Sequence, residues 1–374
     1  MAPQTEQRPT AAYVDLDTLA GNFHSTKQFV GTDVGYMAVV KANAYGHGAV
    51  ECSLRLEAEG VDWFGVALPE EGVDLRRAGV TIPILCLGSF WPGQERLLIE
   101  HGLTSVIYDL DGADRLADYV KAYGFAVDVH IKIDTGMGRV GIPYQDARVL
   151  ADAIAHNQHL RVTGMMTHFA AAENPDEIDF TELQIDRFER ACGEFRAAGH
   201  EPELIDLANS PGAITHPASR GNMVRLGGAL YGLLEDILPP GTRGPELKPV
   251  LSLISRIAYL RTVLAGESLG YWRTFYTKRD SLIGLLPIGY ADGYPRGLSN
   301  TGKAVVNGQI VPIVGSISMD WTLLDLTDVP GVKNGDEVIL IGPEISAADI
   351  AQALGTIGYE ITCGLSPRVP RIYT

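Results

Sequence analysis

Lys41 stands directly after the apolar run Tyr36 to Val40 and directly before Ala42-Asn43-Ala44-Tyr45-Gly46-His47-Gly48. A short apolar run reads as a buried strand, so the spacing places an amine at a strand's C-terminal tip, beside a loop with an aromatic and an imidazole. In parallel α/β architectures chemistry collects at such tips. Desolvation there lowers an amine's pKa and suits it to Schiff-base formation with a carbonyl. Taken alone, the lysine can also simply close the strand and reach solvent, the usual fate of strand-end lysines.

Other polar groups close other apolar runs: Tyr45; Lys132 with Asp134 and Arg139; His168; Asn209 and Ser210; and Arg225 with Gly227 and Gly228. Singly, each has an ordinary explanation. Tyr45 and His168 can be satisfied core polar groups, Asn209-Ser210-Pro211-Gly212 a turn with a helix cap, and Gly227-Gly228 a close-packed turn. Together they supply an amine, several cations, and a serine beside consecutive glycines whose N–H groups can take a phosphate. Those are the parts that pyridoxal phosphate requires, although the residues alone do not name the cofactor.

The elements that must position these groups alternate. Besides Tyr36 to Lys41, apolar runs fall at Trp63 to Leu68, Ile82 to Leu87, Thr104 to Tyr108, Val127 to Ile133, Val162 to His168, Leu204 to Ala208 and Met223 to Leu230. Helical segments lie between them, at Ala49 to Glu59, Pro69 to Ala78, Asp111 to Tyr123, Tyr144 to His156 and Glu177 to Ala198. Eight such units over residues 10–245 predict a (β/α)8 TIM barrel, with a doubly wound sheet as the competitor. Before them, Ala11 to Leu16 is a short strand candidate, and Asp17 is expected to cap a helix through about Val30. Pro239-Pro240-Gly241 marks a boundary. Residues 246–374 then read as a mostly-β domain, to which residues 10–16 can add a strand. Its runs are Leu251 to Leu264, Ser281 to Pro287, Lys303 to Val306, Gln309 to Val314, Trp321 to Leu326 and Glu337 to Ile341. Asn307-Gly308 signals a hairpin, and a short helix is expected from Ser346 to Leu354.

Composition narrows the partners. The chain has 374 residues, 46% hydrophobic and 20% charged, with a net charge of −16, which argues against nucleic acid or anionic membrane as a main partner. The cysteines Cys52, Cys86, Cys192 and Cys363 lack paired spacing, consistent with a reducing compartment and no structural zinc or other metal. Met1 to Pro9 is polar and lacks the apolar stretch of a signal peptide, and no run is long enough to span a bilayer. The expected location is cytoplasmic.

The segment AVVKANAYGHG (Ala38 to Gly48) resembles the cofactor-lysine motif of alanine racemases, the fold-type III pyridoxal phosphate enzymes. The resemblance runs through HIKIDTGMGRVG (His130 to Gly141), MTHFA (Met166 to Ala170), ANS (Ala208 to Ser210), VRLGGALYG (Val224 to Gly232), AGESLGYW (Ala265 to Trp272), PIGYADGYPR (Pro287 to Arg296), ISMD (Ile317 to Asp320) and SPRVPR (Ser366 to Arg371). It implies pyridoxal 5'-phosphate bound covalently to Lys41, and racemisation of alanine by two bases, Lys41 and Tyr271, supplying D-alanine for peptidoglycan. It also implies a homodimer, with Tyr271 and Met319 coming from the other subunit. Arg225 and His168 would serve the ring, and Tyr45, Ser210, Gly227 and Gly228 the cofactor's phosphate end, with Asn209 a further cofactor-binding residue. Arg139 would bind the substrate carboxylate, buttressed by Lys132, which matches a lysine often carbamylated in the family. Met319 and Asp320 would line the substrate side, with Tyr290, Arg296 and Glu173 in the access corridor.

The chain departs from the family pattern at three places. Pro367 replaces a usual tyrosine, Trp272-Arg273 follows Tyr271 where a small residue is usual, and Glu173 stands where an aspartate is usual. These changes bear on substrate range, so a broader or serine-tolerant racemase is the alternative. An amino-acid decarboxylase on the same plan would pair the ring nitrogen with a carboxylate rather than Arg225. A non-enzymatic pyridoxal phosphate carrier would need only the barrel.

Overall fold

In the computed structural model, residues 8–374 are described; residues 1–7, most of the tail read above as polar, lie outside the described residues. Parallel strands Gly35–Val39, Trp63–Val66, Ile84–Cys86, Thr104–Ile107, Val127–Asp134, Leu160–Met166, Leu204–Asp206 and Met223–Leu226 form one sheet in chain order, the last paired with the first. Between the last two strands the barrel is closed by backbone bonds from Asn222 N to Ile205 O (3.1 Å) and from Arg225 N to Ala208 O (2.9 Å). All eight expected runs are barrel strands, which excludes the doubly wound competitor. They are short because only the apolar part of each run pairs. The polar residue closing it turns into the loop above, so Lys41 sits two residues beyond the last paired position of its strand.

The helices lie outside the strands and bury one face each. In Leu110–Lys121, for example, Ala113, Leu116, Ala117 and Val120 are buried at helical spacing. The first helix, Leu16–Val30, is capped by Asp15, whose Oδ1 accepts from Thr18 N at 2.8 Å, and not by Asp17, which lies inside its first turn. An aspartate capping from just before the helix and one stabilising its N-terminal dipole read alike in sequence.

The second domain is built on a six-stranded sheet in the order Gln309–Pro312, Lys303–Val306, Glu337–Ile341, Leu251–Arg256, Ala11–Val14 and Arg371–Tyr373. Both ends of the described chain therefore meet in this sheet, where Ala11–Val14 runs antiparallel to Leu251–Arg256 and parallel to Arg371–Tyr373. The hairpin at Asn307-Gly308 forms as expected, with φ of +48° and +74° at its two turn residues. The single expected run Leu251 to Leu264 is instead two strands, Leu251–Arg256 and Tyr259–Val263, in different sheets. Ser346 caps the helix Ala347–Leu354 and a second helix, Gly358–Cys363, follows it. That second helix packs against the turn that follows Lys41, joining the domains at the barrel's upper rim.

Candidate active site

Lys41 opens an unusual backbone segment. Ala42, Asn43, Ala44 and Tyr45 all have φ between +52° and +54°, a single left-handed turn. Each such residue costs about 1–2 kcal/mol, so the turn persists only because its surroundings over-determine it. Glu71 Oε1 accepts from Ala42 N at 2.7 Å, Asn43 Oδ1 accepts from Ala49 N at 2.9 Å, and Arg371 Nε donates to Gly46 O at 2.9 Å. The turn swings Tyr45 inward, where its ring stacks on Tyr231 (4.9 Å between centroids) and tilts against Tyr359 (5.5 Å). Burial and the nearby cations Arg139 and Arg225 lower the Lys41 pKa, with Glu71 and Cys363 opposing them.

Across the barrel mouth, Ser210 Oγ accepts from Gly227 N (2.9 Å) and Ala229 N (3.3 Å), tying the start of helix Ser210–Thr215 to the turn after the eighth strand. Asn209 caps that helix through Gly212 N at 3.1 Å, so its side chain has the capping role that its motif allowed. A Cβ at Gly227 would lie 2.6 Å from Tyr45 Oη, and one at Gly228 would collide with Tyr359 Oη. The two glycines thus leave a narrow cradle lined by two hydroxyls, a fit for a phosphate at the barrel rim.

Arg225 is buried and almost saturated. Its Nη1 donates to Asp206 O (3.2 Å) and forms an ion pair with Asp206 Oδ1, while Nη2 donates to Thr167 O (2.9 Å), Leu207 O (3.0 Å) and His168 Nδ1 (3.2 Å). Among the described residues its Nε makes no hydrogen bond, so one N–H is left to meet a ligand acceptor. Because His168 Nδ1 accepts from the guanidinium, a neutral ring carries its proton on Nε2. Burial, then Arg225, Lys132, Arg139 and Lys41, push the His168 pKa well below its ordinary 6.5. Lys132 is 5% exposed, and burial followed by Arg225 and Arg139 lowers its pKa to about 7. Arg139 is exposed in the Gly-rich loop after that strand and makes no hydrogen bond or ion pair among the described residues, leaving its donors free above the mouth.

The groups placed together are therefore Lys41, Tyr45, Lys132, Arg139, His168, Ser210, Arg225, Gly227 and Gly228. Tyr271 is not among them within one chain. It is 69% exposed on the second domain, over a depression lined by Gly270, Leu285, Ser316, Ser318, Trp321 and Leu323, none of which belongs to the barrel. Met319 and Tyr290 are exposed on the same domain, Arg296 is exposed nearby, and Asp320 is paired with Arg368 at 2.7 Å. Glu173 is exposed on the barrel loop after His168, and Pro367 is exposed.

Residues 14–235 match the family model described as alanine racemase, N-terminal domain, and residues 250–373 match the one described as alanine racemase, C-terminal domain. The chain belongs to the alanine racemase family. It is 41% identical to an alanine racemase of Geobacter sulfurreducens, with 98% of each chain covered. It is also 41% identical to one of Symbiobacterium thermophilum, covering 98% of this chain and 97% of that one. Among solved structures, the alanine racemase of Clostridium difficile superposes with a TM-score of 0.93 at 34% identity, covering 99% and 97% of the two chains. One from Bartonella henselae, described with covalently bound pyridoxal phosphate, gives 0.88 at 29% identity, covering 98% and 99%.

Three residues beside the motifs escaped the sequence reading: Glu71, Asp206 and Tyr359. Asp206 ends a strand as the other site residues do, and that position was the available signal. Glu71 and Tyr359 lie on helices whose amphipathic pattern accounts for them without a site.

Proposed function

We propose that the protein is a pyridoxal 5'-phosphate-dependent alanine racemase, an isomerase interconverting L- and D-alanine, cytoplasmic and supplying D-alanine to peptidoglycan. One observation carries the reading most directly: Lys41, at a barrel tip within electrostatic reach of Arg225, whose Nε is unpaired among the described residues, shares the barrel mouth with the rim cradle of Tyr45, Ser210, Gly227 and Gly228. The residues fit pyridoxal phosphate by type and by space. When bound, the cofactor supplies the electron sink that makes the substrate Cα–H acidic.

The chain's own residues supply the rest. With its pKa lowered, Lys41 spends more time as the free amine, the form that attacks a carbonyl and takes or returns a proton at one face of Cα. Arg225 does not readily hand over a proton, so as the partner of the ring nitrogen it would leave that nitrogen unprotonated. An unprotonated ring would be a weaker electron sink, which would suit racemisation better than transamination. Arg139 is free to hold the substrate carboxylate. Lys132, with a pKa of about 7, has a large amine fraction at neutral pH, and the amine is what carbon dioxide carbamylates. A carbamate there would turn a repelling cation into an anion facing Arg139.

The second base is Tyr271 of the partner subunit in a homodimer. Its exposure on the face that carries Met319, Tyr290 and Trp272 (87% exposed) supports this reading, because a monomer leaves both that face and the barrel mouth uncovered. No helix among the described residues is long and apolar enough to cross a membrane. A ring nitrogen partnered by Arg225 rather than by a carboxylate would disfavour a decarboxylase.

A second reading, a broader or serine-tolerant racemase, is favoured by Pro367, which has neither the hydroxyl nor the aromatic ring of the tyrosine it replaces in the family pattern. Kinetics on L-Ala, L-Ser, L-Lys and L-Arg decide between the two. Alanine preferred by at least an order of magnitude supports the first, and comparable efficiency on a long side chain overturns it. Lys41→Ala should abolish racemisation and covalent cofactor retention together.

A further inference from the structure

We infer that Glu71 is the positioning residue for Lys41: its carboxylate fixes the left-handed turn that carries the lysine and sets a negative charge facing the amine. The inference rests on the proposed role of Lys41. Glu71 lies in the first turn of helix Pro69–Arg77, where a glutamate ordinarily reaches back to the N–H groups preceding its own helix. It does so here, with Oε2 accepting from Ala67 N at 2.6 Å and Leu68 N at 3.2 Å. The other oxygen is used differently. Oε1 crosses to the neighbouring strand end and accepts from Ala42 N at 2.7 Å, the peptide nitrogen immediately after Lys41.

That bond falls where the chain leaves ordinary geometry, since φ turns positive at Ala42 and stays so through Gly46. The backbone on the other side of Lys41 is held by Val40 N donating to Gly65 O at 2.9 Å. Lys41 is thus pinned between two bonds to the adjacent strand unit, and Glu71 makes the second. Only a carboxylate can do this, because both oxygens accept from N–H groups; an amide would turn a donor toward one of them. Glu71 forms no ion pair among the described residues, so its charge is not cancelled by a cation of its own. The groups acting on the Lys41 amine are Arg139, Glu71, Cys363 and Arg225, and Lys132 and His168 sense it in turn. Glu71 is the carboxylate among them that opposes the arginines.

The test mixes apoenzyme with pyridoxal phosphate and follows covalent attachment by absorbance across pH, for the wild-type chain, Glu71→Gln and Glu71→Asp. Glu71→Gln removes the charge and at least one bond. Its attachment is expected to slow about tenfold, with a pH midpoint about one unit lower, since losing an anion favours the free amine. Glu71→Asp keeps the charge but is one methylene too short to bridge both strand ends. It should attach slowly with the wild-type midpoint, and it remains decisive if Glu71→Gln does not fold. An unmoved midpoint in Glu71→Gln, or wild-type attachment rates in Glu71→Asp, overturns the inference, even where thermal stability drops as for a simple helix cap. If the wild-type chain itself forms no attachment, the proposed function fails rather than the role of Glu71.

Discussion

Asp206 and Arg225 should be worth little to stability as a pair and a great deal when separated. The carboxylate is fully buried, and burial raises its pKa despite the opposing guanidinium and Lys132. Its Oδ2 has no hydrogen-bond partner among the described residues. A folded-state pKa above the unfolded one means that the ionised carboxylate costs stability above its ordinary titration range, so desolvation outweighs what Arg225 returns. Asp206→Leu strands a buried guanidinium. Arg225 would keep its carbonyl acceptors Asp206 O, Thr167 O and Leu207 O but lose its counter-charge, and we expect a loss of about 3 kcal/mol, at the lower end for a broken buried pair. Adding Arg225→Met should recover most of that loss, leaving a stable but inactive barrel. Urea unfolding of the wild type, both single variants and the double variant measures this as a coupling energy. A double variant no more stable than Asp206→Leu alone, or a single-variant loss below about 1 kcal/mol, refutes the reasoning.

Other outcomes follow from neighbouring groups. His47 and His130 are buried with pKa values pushed down to about 4, so both fold neutral. Their contribution is full above the unfolded value near 6.5 and is lost as pH falls toward 4, on the order of 3 kcal/mol each, so urea midpoints should drop clearly between pH 7 and pH 5. An unchanged midpoint contradicts that. Lys132 should carry the added mass of carbon dioxide when the protein is measured gently in bicarbonate, and lose it on acidification; an unmodified lysine under those conditions rules out the carbamate. Tyr359→Phe should weaken pyridoxal phosphate binding about fivefold, the worth of one hydrogen bond, and an unchanged dissociation constant removes Tyr359 from the cradle.

The barrel was legible because each strand is a short apolar run and each helix a periodic one, and these are the signals sequence carries best. Most of the candidate site was legible for a related reason. Lys132 and Arg225 sit in barrel strands, and Lys41, His168 and Ser210 within a few residues of strand ends, where the barrel converges them. What stayed hidden depends on backbone geometry or long-range approach. Nothing in Ala42-Asn43-Ala44-Tyr45 announces four left-handed residues, because their cost is met largely by Glu71 and Arg371 from elsewhere in the fold, with Asn43 adding a local bond to Ala49 N. Leu251 to Leu264 reads as one apolar strand, yet it is cut at Ile257-Ala258, where the chain changes sheets. Asp15 and Asp17 are only two residues apart, and the bond to Thr18 N marks Asp15 as the cap. The family resemblance supplied Tyr271, which no local pattern marks and which the single chain leaves far from company.

The proposed racemisation draws its two bases from two copies of the chain, and mixing inactive variants distinguishes this from bases within one copy. Lys41→Ala and Tyr271→Phe chains are each purified, confirmed inactive, and then unfolded and refolded together with pyridoxal phosphate. If Tyr271 serves the partner's Lys41, each hybrid dimer holds one site with both bases intact. Random association should then restore about a quarter of wild-type racemase activity. A mixture that forms hybrid dimers yet stays as inactive as its components contradicts the account.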